Sequence, residues 1–255
     1  MNEVILKAEN VFYSYDDGKT HSLNGLSLEI RRGKKIAVMG ANGSGKSTFF
    51  LCCNGVYRPS EGTIYFHGKP VDYSRKGLLQ LRQKVGIVFQ DPDNQLFSAS
   101  VFQEISFGIL NLGVPEEEAR KEVERIMDEM EITPYRDRLD EPAAGLDAKH
   151  TVLVNQAVDR MTGEGITVMM ATHDVNYAME WADEVMIFRD GTVAAHGVPE
   201  QVFEDKQLLR ETNLEQPAVL QLFDSLKKKG ILKEELPLPR SLGALLQEIE
   251  RLPSR

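Results

Sequence analysis

Residues Gly40, Ala41, Asn42, Gly43, Ser44, Gly45, Lys46, Ser47 and Thr48 follow an apolar run, Ile36 to Met39, and precede a segment that can be helical. In that context the pattern G-x-x-x-x-G-K-[ST] is a phosphate-binding loop rather than a glycine-rich turn. Glycines at 40, 43 and 45 let the backbone turn tightly and aim successive N–H groups inward, where the start of the next helix adds partial positive charge. A nucleoside polyphosphate fits such a cradle. Lys46 is suited to reach the β- and γ-phosphates as a point charge, and the Ser47 hydroxyl to ligand a Mg²⁺ ion that bridges them.

The elements that must position this loop are legible around it. From Val4 to Ile30 the β-branched and aromatic residues, interrupted by Asp16-Asp17-Gly18, predict extended strands joined by a turn and an antiparallel sheet that opens the fold. Thr63 to His67 reads as another strand. Two short apolar runs, Val85 to Phe89 and Ile166 to Ala171, suit strands buried on both faces. They deliver Gln90 and Thr172-His173-Asp174 at their carboxyl ends, where ligands gather in open α/β sheets. Pro115 to Glu131 predicts a helix with Val123, Ile126, Met127 and Met130 along its core face, and Glu184 to Ala195 a hairpin on Asp190-Gly191. After Gly197 the chain turns to short, charged, proline-broken helices.

Composition sets the outer bounds. A chain of 255 residues, 42% hydrophobic, can bury a core for one large α/β domain and a smaller appendage. The adjacent Cys52 and Cys53 read as small buried apolar side chains, which fits a reducing compartment. A formal charge of -9 argues against broad nucleic-acid binding. Neither a secretory pattern at the N-terminus nor a run of about 18 to 20 apolar residues is present, so the expectation is a soluble chain that reaches a membrane only by docking on another subunit.

Beyond the phosphate loop, Leu139-Asp140-Glu141-Pro142, Ala144-Gly145-Leu146-Asp147 and Ala171-Thr172-His173-Asp174 follow in that order. Together they resemble the ATP-binding subunits of ABC transporters, with the Walker B, D-loop and switch-histidine motifs. The segment Val88-Phe89-Gln90-Asp91-Pro92-Asp93-Asn94-Gln95-Leu96-Phe97 is similar to the Q-loop of the energy-coupling-factor group, which takes up cobalt, nickel or vitamins. The resemblance runs from about residue 4 into the C-terminal tail. It implies a P-loop NTPase core, α/β with a mainly parallel sheet, an N-terminal antiparallel subdomain and a small helical tail. Residues 1–197 would form the nucleotide-binding domain, with a helical subdomain at about 91–138, and residues 198–255 an accessory segment.

The same resemblance implies roles. ATP and Mg²⁺ are the expected ligands, with Asp140, Gln90 and Ser47 around the metal and Glu141 polarising the attacking water. His173 would contact the γ-phosphate, and Gln90 would also sense the membrane partner. Tyr15 looks like the residue that stacks on adenine, with Tyr13 as the runner-up. The implied partners are transmembrane importer subunits and a second ATP-binding subunit, identical or not, at the cytoplasmic face of the membrane; no nucleic acid is implied.

One departure matters. The family pattern sets an LSGGQ-like signature and four aliphatic residues before the Walker B aspartate, but here Tyr135-Arg136-Asp137-Arg138 leads directly into Leu139-Asp140. Only 50 positions separate Gln90 from Asp140, so several tens of residues are missing near Arg138. Either the natural protein contains a segment that this chain has lost, or the deletion is real. The first is favoured, because a charged tetrapeptide cannot replace a buried strand while the motifs on either side remain intact. A real deletion would leave unpaired backbone, at about 1–3 kcal/mol for each buried group, beside a total stability of about 5–15 kcal/mol. It would leave a non-catalytic nucleotide-binding scaffold as the alternative to a motor subunit.

Overall fold

In the computed structural model, which describes residues 3–16, 18–88, 98–137, 148–233 and 235–251, residues 4–14 and 21–31 form two long antiparallel strands. Strand β1 (Val4–Ser14) runs against β2 (His21–Arg31), from Val4 opposite Arg31 to Ser14 opposite His21. In β2 the apolar Leu23, Leu26, Leu28 and Ile30 are buried and the polar Asn24, Ser27 and Glu29 are exposed. The alternation slips by one residue between Leu23 and Leu26, where Gly25 takes a φ of +68°. Strand β3 (Lys35–Met39) then runs into the phosphate loop and helix α1 (Lys46–Cys53). Strands β4 (Glu61–Phe66) and β5 (Lys69–Pro70) complete the antiparallel sheet in the order β2-β1-β4-β5, and helix α2 (Arg75–Arg82) follows.

The chain divides into two units, Met1–Arg82 with Met161–Arg255, and Gln83–Arg160. In the second unit α3 (Val101–Asn111) is capped by Ser100, whose side chain accepts from the Gln103 N–H. Helix α4 (Glu116–Glu129) starts after Pro115, and Ala119, Val123 and Met127 fall four residues apart on its buried stripe. Phe102 donates its N–H to the Arg136 carbonyl and lies under the Arg136 guanidinium, 4.3 Å from its ring centre. Helix α5 (Ala148–Gly163) begins in this unit and runs three residues past its end at Arg160. The expected buried strand at Val85 to Phe89 is not formed: residues 85–88 have no regular structure and Val88 is 91% exposed, while Phe89 lies outside the described residues. An apolar run becomes a buried strand only when a partner offers it a ladder, and no described strand pairs with it.

Back in the first unit, β6 (Val168–Ala171), α6 (Val175–Trp181), β7 (Glu184–Arg189) and β8 (Thr192–Gly197) build the second sheet, ordered β6-β3-β7-β8. Both β6 and β7 run parallel to β3, and β8 returns antiparallel on Asp190 and Gly191, whose φ angles of +51° and +77° suit a tight hairpin turn. Central β3 is buried, Ile36 to Met39 being fully covered. The expectation of a buried strand ending at Ala171 is only half right. Val168, Met169 and Met170 are partly exposed and Ala171 is open, because β6 has β3 as its one described neighbour. Phe49, Cys52 and Cys53 of α1 pack with Leu23, Ile36, Met186 and Phe188 in one core. Burying a side chain of the size of Phe49 or Phe188 stabilises by about 1.5–3 kcal/mol.

Four helices follow: α7 (Pro199–Glu204), α8 (Lys206–Glu211), α9 (Ala218–Lys228) and α10 (Leu242–Glu250). Pro199 opens α7, and Asp205 caps α8 by accepting from the N–H groups of Gln207 and Leu208. Helix α9 begins after Pro217 without a side-chain cap of its own. The Asn176 Oδ1 on α6 fills that place, accepting from the Ala218 N–H at 2.7 Å. Arg240 donates to both carboxylate oxygens of Glu200 and to the Ala182 carbonyl.

Candidate nucleotide-binding site

The phosphate loop is held from two sides by backbone. Gly40 (φ +134°) passes so near β7 that a Cβ would stand 2.3 Å from the Phe188 carbonyl oxygen, and at Gly45 (φ +106°) one would stand 2.6 Å from the Ser22 oxygen of β2. Nothing but glycine fits at either point. The Ser44 N–H donates to Ala41 O at 3.2 Å, closing the loop. The Ser44 carbonyl accepts from the Gly191 N–H at 3.1 Å, and Gly191 O in turn accepts from the Asn24 N–H at 2.9 Å. The hairpin turn and β2 thus brace the loop, a support that the loop motif by itself does not announce.

Helix α1 follows Gly45, which has no side chain to cap it, so among the described residues its first N–H groups have no side-chain cap. That is the arrangement that an anion completes, with the helix dipole favouring negative charge. The Lys46 ammonium is buried and folded back on the loop, donating to Gly40 O at 2.6 Å and Ala41 O at 2.9 Å. Burial lowers the Lys46 pKa, because it strips solvation from the charged ammonium. Ser47 is exposed at the start of the helix and Thr48 is buried behind it.

Tyr15 stands beside the loop, 59% exposed as a residue, with its hydroxyl 3.0 Å from Thr48 Oγ1. Tyr13, the alternative adenine platform, is half-buried and meets Tyr15 edge to face at 5.1 Å. The more open ring is therefore Tyr15. Tyr57, which no motif singles out, completes the group, stacked on Tyr13 at 4.8 Å and edge-on to Tyr15 at 5.5 Å. Burial raises the pKa of both Tyr13 and Tyr57, and their neighbouring tyrosines push in the same direction.

His173 follows β6 and is exposed. Ala171 pairs with Val38 and the Thr172 N–H donates to Val38 O at 3.2 Å, so His173 leaves the sheet at the end where β3 turns into Gly40. Asp174 fixes the segment by capping α6, accepting from the N–H groups of Asn176 and Tyr177. Lys46, the loop glycines, Tyr15 and His173 thus share one unit. Gln90, Asp140 and Glu141 lie outside the described residues. A cavity of about 250 Å³ is lined by Ala41 to Ser44 of the loop and by Arg189, Asp190 and Glu211, with Arg189 paired to Glu211.

Known proteins resemble the chain over most of its length. The ABC transporter family matches residues 23–146. The energy-coupling factor transporter ATP-binding protein EcfA3 of Clostridium perfringens is 41% identical, covering 93% of each chain. The corresponding EcfA protein of Methanocaldococcus jannaschii is 33% identical, over 97% of this chain and 96% of its own. Among solved structures, cbiO1 of Clostridium perfringens, described as part of the ABC transporter complex cbiONQ, is 40% identical. It matches with a TM-score of 0.68 over 87% of this chain and 99% of its own. The alignment with EcfA3 extends over 267 positions, against about 237 residues of this chain (93% of 255), leaving about 30 positions of the relative without a counterpart. No described helix is long and apolar enough to cross a membrane.

Proposed function

The chain belongs to the ATP-binding subunits of ABC transporters, an ATPase of the energy-coupling-factor type, and from that premise we propose that it is the motor subunit of a membrane importer for cobalt or nickel ions or for a vitamin. The observation that carries this reading is the braced loop of Gly40 to Gly45 running into an uncapped helix start, with the Lys46 ammonium among its carbonyls. Loop and helix N–H groups hold the triphosphate, and Lys46 exchanges the carbonyls of Gly40 and Ala41 for phosphate oxygens. The poorly solvated ammonium gains more from an anion than a lysine in water does.

Tyr15 stacks on adenine. The hydroxyl of Ser47 with the side-chain oxygens of Asp140 and Gln90 makes a hard-donor set that fits Mg²⁺, and the exposure of Ser47 leaves its oxygen accessible. When bound, the ion neutralises charge on the β- and γ-oxygens. Glu141 orients and deprotonates the attacking water, and His173 holds the γ-phosphate in line. The subunit works as a dimer on the cytoplasmic face of transmembrane importer subunits, closing on two ATP and opening after hydrolysis.

A second reading, a nucleotide-binding scaffold without turnover, is favoured by the absence of an LSGGQ-like run between Gln90 and Asp140. Steady-state ATP hydrolysis of the intact protein, beside its intact mass, separates the two. Turnover that disappears in Lys46→Ala supports the motor. ATP binding without turnover, at a mass equal to 28.7 kDa, supports the scaffold.

A further inference from the structure

Tyr57 owes its place to the helix that carries the phosphate loop. At the end of α1, Gly55 takes a φ of +70°, its N–H donates to Cys52 O at 3.1 Å, and the Val56 N–H donates to Leu51 O at 2.9 Å. This is the Schellman closure of a helix. The Tyr57 N–H adds a third bond, also to Leu51 O, at 3.1 Å. Tyr57 is thereby fixed to the last turn of α1, whereas Tyr13 and the segment leading to Tyr15 belong to β1.

The three rings then lock together. Tyr57 lies parallel to Tyr13 (interplanar angle 15°) and perpendicular to Tyr15 (86°), and Tyr13 is also perpendicular to Tyr15 (84°). Edge-to-face pairs at these separations are attractive beyond their buried area. The exposed Tyr15 ring is therefore held on two sides by aromatic edges and at its tip by Thr48 on α1. We propose that Tyr57 is a positioning residue for nucleotide recognition: it carries the orientation of the phosphate-loop helix to the Tyr15 ring and keeps that ring set to receive the base. The proposal rests on the reading of Tyr15 as the adenine platform. A ring immobilised before binding forfeits less rotamer entropy when the base arrives.

The test measures affinity of the full-length protein for Mg-ATP and for inorganic tripolyphosphate, which has the phosphates and no base. Tyr57→Leu is expected to weaken ATP by about 3- to 10-fold, the range set by one aromatic pair, and to leave tripolyphosphate unchanged. Tyr57→Phe, which keeps the ring, is expected to restore ATP affinity. Unchanged ATP affinity in Tyr57→Leu would overturn the proposal. So would an equal loss for both ligands, the mark of a damaged α1 rather than a misplaced platform. If the leucine variant does not fold, Tyr57→Met, with a flexible chain to fill the gap, is read the same way. Tyr15→Ala separates the underlying reading: it must weaken ATP and spare tripolyphosphate, and if it leaves both unchanged the adenine platform lies elsewhere whatever Tyr57 does.

Discussion

Gly40 lies against the main chain of Phe188: where the first glycine of the phosphate loop passes the end of β7, a Cβ would stand 2.3 Å from the Phe188 carbonyl oxygen. Gly43, three residues on, has φ +79° and open space around it. Gly40→Ala is expected to destabilise by at least about 2 kcal/mol, through the clash and a φ of +134°, and to abolish ATP binding. Gly43→Ala carries only the left-handed penalty, about 1–2 kcal/mol. Urea unfolding and ATP titration of both variants check the order; equal losses would contradict it.

The two thiols should be silent in the native protein. Cys52 is fully buried and Cys53 99% so, and burial pushes the Cys52 thiol up to about 12 and that of Cys53 well above its ordinary value. At pH 8 the Cys52 thiolate is then on the order of one in 10⁴. Iodoacetamide should add no mass to the folded chain and two adducts in urea. Native labelling at the rate of a free thiol would refute the burial.

The pairing of Glu200 with Arg240 predicts a pH dependence. Burial alone would raise the Glu200 pKa, but the Arg240 guanidinium, bonded to both its oxygens, and a backbone hydrogen bond within Glu200 together outweigh burial and hold it below the ordinary 4.5. A lowered folded value means that the pair stabilises above about 4.5 and loses that effect as pH falls through the folded value. Glu200→Gln should therefore cost about 1 kcal/mol at pH 7 and nothing well below pH 4. Thermal melts of both proteins across that interval measure it, and a constant difference would count against the pair.

What the sequence made legible was what local chemistry dictates. The loop motif, the Asp190-Gly191 hairpin and the Pro115 helix start each carry their geometry in residue type. The strand at Val85 was misjudged because burial on both faces belongs to a sheet rather than to a run of residues, and Val88 has no described ladder beside it. Tyr57 escaped notice for another reason. A loop tyrosine 42 positions beyond Tyr15 reaches it only because the Schellman closure of α1 turns the chain back, and the sole local sign is Gly55. The brace from Asn24 through Gly191 to Ser44 is made by main-chain atoms, which leave no signature in side-chain type.

The bond from the Asn176 side chain to Ala218 has a bearing on modularity. It caps a helix across 42 positions of chain. The last four helices are therefore not a detachable cassette. A chimaera that exchanges them with a relative's must carry a matching residue at 176 as well, or α9 begins with an orphaned amide. Grafting experiments drawn at the Gly197 boundary alone would report that mismatch rather than the role of the tail.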